Sequence, residues 1–199
     1  MQHKKEKLHF IAIGGSVMHN LAVALKLAGH TVTGSDDEVH DPSRTTLAKH
    51  GLLPDKEGWN PDRINNSLDA VILGMHARID NPELLKAQAL GLKIYSFPEF
   101  IYEHSKDKQR IVIAGSHGKT TITAIVIHVL NYFNRKFDYV IGARVKGIEH
   151  TVKLSDAPII IIEGDEYFAS ALDRTSKFLR YRHHIGLISG IAWDHANVF

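Results

Sequence analysis

The chain has 199 residues, 44% of them apolar and 23% charged, enough to bury the core of one large domain or two small ones. Its formal charge of +2, with lysines and arginines dispersed apart from Lys4, Lys5 and Lys7, supplies no basic face for nucleic acid. No run approaches the roughly 20 apolar residues of a membrane helix, and the lack of cysteine excludes disulfides and thiolate metal sites, as expected of a soluble cytosolic protein.

The apolar run behind Lys7 is interrupted by His9, Gly14, Gly15, His19 and Asn20 before a signal-peptide core is complete. Residues 8–13 read instead as a buried strand, followed by a turn at Gly14 and Gly15. Met18, Leu21, Ala22 and Leu25 then recur at helical spacing up to Gly29, a natural helix stop. A second strand at 31–35 ends on Asp36. Strand, glycine turn, helix, strand and acid make a Rossmann-like βαβ unit of mononucleotide-binding layout, although Ala12 stands where the dinucleotide fingerprint has its first glycine. A unit of this shape that binds no dinucleotide fits the residues equally well.

A short strand at 70–73 comes next. A helix follows with Asn81 as N-cap, Pro82 at its first position and Glu83 in its first turn, stopping at Gly91, and then a strand at 93–95. Strands alternating with helices predict an α/β fold with a mainly parallel sheet covered on both faces. The polar stretch between Glu103 and Arg110 marks the boundary between a unit of residues 1–107 and one of residues 108–199. The second unit opens with a strand at 111–114 and a helix at 119–133, and has further strands at 139–141, 159–162 and 185–188.

Between that strand and helix lie Gly115, Ser116, His117, Gly118, Lys119, Thr120 and Thr121. Strand, glycine loop, Lys-Thr and helix are the setting of a cradle for a nucleoside triphosphate. The loop N–H groups and the positive helix end would face the phosphates, Lys119 would neutralise β/γ charge, and the Thr120 hydroxyl would ligate magnesium. The loop is shorter than the common P-loop, which has a glycine where Ile113 stands. Glu163, Asp165 and Glu166 follow the 159–162 strand, and Asp194 and His195 follow the 185–188 strand. The carboxyl ends of a doubly wound sheet share one crevice, so these residues are expected beside Lys119. Carboxylates facing a phosphate cradle suit magnesium, a cation of oxygen ligands. The 14 histidines, His183 and His184 among them, form no zinc pattern.

The 115–121 loop, the string Glu163-Gly164-Asp165-Glu166 and the pair Asp194-His195 stand in that order behind a first unit carrying Thr33-Gly34-Ser35-Asp36. Together they resemble the Mur ligases, and among them those acting on UDP-N-acetylmuramate. The residues Asp165-Glu166-Tyr167, Asp173, Ser176-Lys177-Phe178, Tyr181 and Asp194-His195-Ala196 are similar to the recycling branch, which adds a murein tripeptide; the branch adding L-alanine typically has Ser where Tyr167 stands.

The resemblance implies ATP- and magnesium-dependent amide bond formation. The muramate carboxylate takes the γ-phosphoryl group, and the acyl phosphate is attacked by the amine of a peptide or amino acid. The resemblance further implies a UDP-sugar site at Gly14, Gly15, Ser35 and Asp36, with His76, Arg78 and Asn81 as additional candidates, and an ATP site at Gly115 to Thr121. It puts one magnesium on Thr120 and Glu163 and a second at His195, with Lys119, His117, Glu166 and His195 as the catalytic set. Because the chain stops at Phe199, the resemblance also implies an incomplete ATP domain, no third, amine-binding domain, and little ligation by this chain alone. On the residues themselves, a nucleotide-binding module without ligase chemistry and a P-loop ATPase stay open.

Overall fold

Two sheets, the first all parallel and the second mainly so, are built one after the other along the chain and organise the computed structural model, which describes residues 5–148 and 150–192. The first comprises β1 (Lys7–Ile11), β2 (Thr31–Ser35), β3 (Ala70–Leu73) and β4 (Ile94–Ser96), in the order β2-β1-β3-β4 with every pair parallel. Its helices are α1 (Met18–Leu27), α2 (Ser43–Lys49), α3 (Pro82–Ala89) and α4 (Phe97–Glu103). The apolar run of β3 is buried throughout because both faces are covered: Phe10 and Ile72 pack with Leu21 and Leu25 of α1, while Ile11, Val71 and Leu73 pack with Leu84 and Ala87 of α3.

The second sheet has the order β11-β5-β8-β6-β7, from β5 (Gln109–Ala114), β6 (Asp138–Val140), β7 (Val152–Lys153), β8 (Ile159–Glu163) and β11 (Ile185–Ile188). Only the β6–β7 pair is antiparallel. Helix α5 (Lys119–Tyr132) covers one face through Ile127, against Ile113 and Ile161. The hairpin β9 (Phe168–Ser170) and β10 (Asp173–Ser176), with the short α6 (Lys177–Arg180), lies beside α4. Coverage stops short at β11, whose Ile185, Leu187 and Ile188 are exposed among the described residues.

Most of the expected elements are present, with ends shifted by one or two residues. Helices α2, α4 and α6, strand β7 and the β9–β10 hairpin were not expected. Helix α4 had a readable signal, since Ser96 and Glu99 form a reciprocal capping box at its start. In the polar stretch after Glu103, Ser105, Lys108 and Arg110 are buried while Lys106, Asp107 and Gln109 are exposed. Lys108 is ion-paired with Asp138, and the Arg110 guanidinium donates to the carbonyls of Ser105, Lys106, Tyr181 and Arg182. One apolar cluster runs through both sheets, joining Leu8 and Phe10 to Val112, Ile160 and Ile162.

Ala12, at the missing fingerprint glycine, holds φ at 64°, a strained value for a residue with a Cβ. Space for that methyl comes from Gly74, where any added Cβ would approach Ala12 Cβ to 2.9 Å.

Candidate functional site

Strand β5 delivers the chain to Gly115 at φ 122°, and the loop ends on Gly118 at φ 78°, which caps α5. The two glycines are needed for different reasons. At Gly115 a Cβ would come within 2.6–2.8 Å of Ser189 Oγ, Ser189 N and Gly190 N, because the chain leaving β11 crosses the loop there; at Gly118 the space is open. That crossing clamps the loop. Ser116 N donates to Gly190 O at 3.1 Å, and the Ser189 hydroxyl donates to the carbonyls of Ala114 and His117. No local pattern marked Ser189 and Gly190 as loop contacts; they act through the Ser189 hydroxyl and through the close backbone crossing.

Lys119, one residue into α5, folds back so that Nζ donates to Gly115 O at 2.6 Å. Its neighbour Thr120 donates to Glu163 Oε1 at 2.8 Å, and the other oxygen of Glu163 accepts from Gly142 N at 3.0 Å. Thr120 and Glu163 are 43 residues apart, brought together because β5 and β8 are adjacent and parallel. Two neighbouring oxygens on an octahedral magnesium with bonds of about 2.0–2.1 Å lie about 2.9 Å apart. The Thr120–Glu163 pair therefore fits that ion, two hard oxygens leaving the remaining positions to water and phosphate. Among the described residues no three His, Asp or Glu side chains converge as a fuller metal cage.

His117 and Thr121 are exposed on the loop and the first turn of α5. Glu166 is half-buried on the wall of a cleft of about 350 Å³ shared with Gly115, Ser116, Phe178 and Ile188. Asp165 lines the same cleft and is ion-paired with Lys177 at 2.9 Å, and burial pushes its carboxyl up against the opposing pull of that lysine. Asp194 and His195 lie outside the described residues.

At the first sheet, Gly14 N donates to Asp36 Oδ2 at 2.6 Å, and a Cβ on Gly14 would stand 2.9 Å from that oxygen. The glycine turn and the acid after β2 thus form one corner. Burial chiefly, with Asp37 adding to it, pushes Asp36 up to about 6, although the Gly14 N–H pulls the other way. Gly15 accepts on its carbonyl from His19 N at 3.1 Å, starting α1.

The remaining candidates separate from that corner. Ser35 is wholly buried and donates inward to Glu83 Oε1 at 2.7 Å, in a network with His9 and Arg63. Asn81 is 4% exposed, and its side-chain oxygen is taken by the N–H groups of Glu83 and Leu84 at the head of α3. His76 and Arg78 are exposed, with Arg78 held by Asp80 at 2.8 Å. The structure therefore gives Ser35 and Asn81 internal partners and leaves His76 and Arg78 on the surface.

The sequence profile described as the Mur ligase family, catalytic domain, matches residues 7–109. The chain belongs to the Mur ligase family. This Mur ligase chain is 31% identical over 195 residues to the UDP-N-acetylmuramate:L-alanyl-γ-D-glutamyl-meso-2,6-diaminoheptandioate ligase of Haemophilus influenzae, covering 96% of this chain and 42% of that protein. It is 31% identical over 203 residues to the UDP-N-acetylmuramate–L-alanine ligase of Desulforamulus reducens, covering 100% and 41%. The crystal structure of the Neisseria meningitidis ligase for UDP-N-acetylmuramate and L-alanyl-γ-D-glutamyl-meso-diaminopimelate superposes with a TM-score of 0.87 at 28% identity, over 98% of this chain and 64% of that one. The chain spans about two fifths of the length of the curated relatives it matches. No helix among the described residues is long and apolar enough to cross a membrane.

Proposed function

We propose that this Mur ligase chain carries the nucleotide-sugar and ATP-handling parts of an enzyme that joins a murein peptide to UDP-N-acetylmuramate. In this reading residues 1–107 take the UDP sugar at the Gly14–Asp36 corner, and residues 108–199 take ATP on the 115–121 loop. The observation that carries it is the 2.8 Å contact between Thr120 and Glu163 at the head of α5. It joins a phosphate loop to a hard-oxygen metal seat, the arrangement phosphoryl transfer needs.

Thr120 and Glu163 would hold magnesium, which when bound neutralises charge on the phosphoryl group being transferred. Lys119 exchanges its bond to Gly115 O for phosphate oxygens, placing a cation where negative charge builds up. The N–H groups of the loop and of the first turn of α5 face the same oxygens. A muramate carboxylate oxygen attacks the γ-phosphorus and ADP leaves. The peptide amine then attacks the acyl carbon, the carbon–oxygen bond to phosphate breaks, and the amine loses a proton. In this reading Glu166, which lines the cleft with Gly115 and Ser116, would accept that proton, and His117, exposed on the loop, would complete the set. His195 belongs to the same proposed set.

The choice of a peptide over L-alanine rests on the residues between Asp165 and Tyr181 and on the likeness to the Haemophilus and Neisseria proteins. Addition of L-alanine is the second reading, favoured by the Desulforamulus protein. The test is phosphate release by the protein at the full length of its reading frame, given magnesium-ATP, UDP-N-acetylmuramate and either amine. Release that requires the tripeptide is expected. Release only with L-alanine selects the second reading, and release with neither overturns both.

A further inference from the structure

The chain that leaves β8 is tied down by the start of α6. Asp165 O accepts from Phe178 N and from the Ser176 hydroxyl, both at 3.2 Å, and Tyr167 O accepts from Lys177 N at 2.9 Å. These bonds hold the backbone on both sides of Glu166, which lines the cleft beside Gly115 and Ser116. A side-chain pair completes the tie. Lys177 is buried, and its Nζ donates to Asp165 Oδ2 at 2.9 Å while lying 5.6 Å from the centroid of the Tyr167 ring. Among the described residues no other cation pairs with the Asp165 carboxylate, whose charge is disfavoured by burial and by the neighbouring Glu166. A carboxylate so placed depends on its one ammonium partner. Without Lys177 it has to turn toward water, and residue 166, joined to it by a single peptide bond, moves with it.

We propose that Lys177 is a positioning residue of the cleft: through Asp165 it fixes the direction in which Glu166 meets the incoming amine, without itself touching substrate. Resting on the ligase reading, in which a proton passes from the amine nitrogen to a Glu166 carboxylate oxygen, this role belongs to the attack of the amine and not to phosphoryl transfer. Proton transfer needs donor and acceptor within hydrogen-bond reach, so a small displacement of Glu166 slows that step. The partners of Lys119 and Thr120 are Gly115 and Glu163, not α6, so magnesium-ATP is held independently of the tie.

The experiment uses the protein at the full length of its reading frame. It measures phosphate release at saturating magnesium-ATP and UDP-N-acetylmuramate, varying whichever amine, tripeptide or L-alanine, the parent uses. The parent is compared with Lys177→Met, Asp165→Asn, their double and Lys177→Arg, and the unfolding shift with magnesium-ATP is recorded for each. The expected result is a kcat about tenfold or more lower in both single variants, with the KM for the amine and the unfolding shift unchanged. The double variant falls no further, since either change removes the same tie, and Lys177→Arg recovers most of the activity. An active parent with an undiminished kcat in Lys177→Met overturns this role and leaves the ligase reading standing, as does a Lys177→Arg variant no better than Lys177→Met. Loss of kcat together with the magnesium-ATP shift makes Lys177 a support of the whole unit and also overturns it. Release by the parent with neither amine overturns the ligase reading, and this role with it.

Discussion

Replacing Glu163 by Gln tests whether the Thr120–Glu163 pair is a magnesium seat or only a brace for the loop. The amide keeps the shape: its oxygen can accept from Gly142 N and its NH₂ can donate to the Thr120 hydroxyl, replacing the present bonds of 3.0 and 2.8 Å. Loss of charge-assisted character costs the resting fold about 1 kcal/mol or less. Losing the anionic ligand costs far more in the bound state. A deficit of about 2.7 kcal/mol, within the range of one or two interactions with a charged group, is a roughly 100-fold weaker affinity. The assay is thermal unfolding with and without magnesium-ATP. At about 100 times Kd the ligand stabilises the parent by roughly 2.7 kcal/mol, whereas Glu163→Gln at the same concentration gains roughly 0.4 kcal/mol. For a chain of this size that is a shift of about 5–11 °C against about 1–2 °C. With ATP and a chelator, the two proteins should respond alike. An undiminished magnesium-ATP shift in Glu163→Gln, or a parent shift indifferent to the chelator, would refute the reasoning.

Two further outcomes follow from the same geometry. Asp36 titrates at about 6 in the folded protein, against 3.8 for the ordinary group, so folding favours its neutral form. Stability from this residue is present below about 3.8 and is lost as pH rises to about 6. Asp36→Asn, which can still accept from Gly14 N, should flatten the pH dependence between those values in urea titrations. At pH 7 it should add about 1–2 kcal/mol, discounted for solvent screening and for Asp37; a variant less stable than the parent at pH 7 would count against burial as the cause. Gly115→Ala meets both a positive φ and two backbone nitrogens, so its cost should be about 3 kcal/mol or more and magnesium-ATP binding should vanish; Gly118→Ala, with positive φ alone, should cost about 1 kcal/mol. Equal losses at the two positions in chemical denaturation would mean that the chain crossing from β11 does not clamp the loop.

The strand–glycine–helix units were legible in the sequence because they are local. The period of apolar residues, the stop at Gly29, the Asn81 cap and the Gly115–Thr121 string each act within a turn or two of chain. They also determined the α/β class and the candidate triphosphate loop. Short elements such as β7 and the β9–β10 hairpin have too few residues to show a period, and α6, at four residues, has none.

The partners of the polar residues were decided only by the tertiary structure. Sequence alone could not tell that Ser35 faces inward to Glu83 while Asp36 faces Gly14, because adjacent residues at a strand end point opposite ways and only packing fixes which way is in. It set Thr120 and Glu163 in one crevice by the general rule for parallel sheets, but their contact depends on β8 lying next to β5 and not one strand away. The clamp of Ser189 and Gly190 over Gly115 joins residues distant along the chain. Such contacts exist only once burial of the apolar residues has brought the two sheets into one core, and no local pattern encodes them.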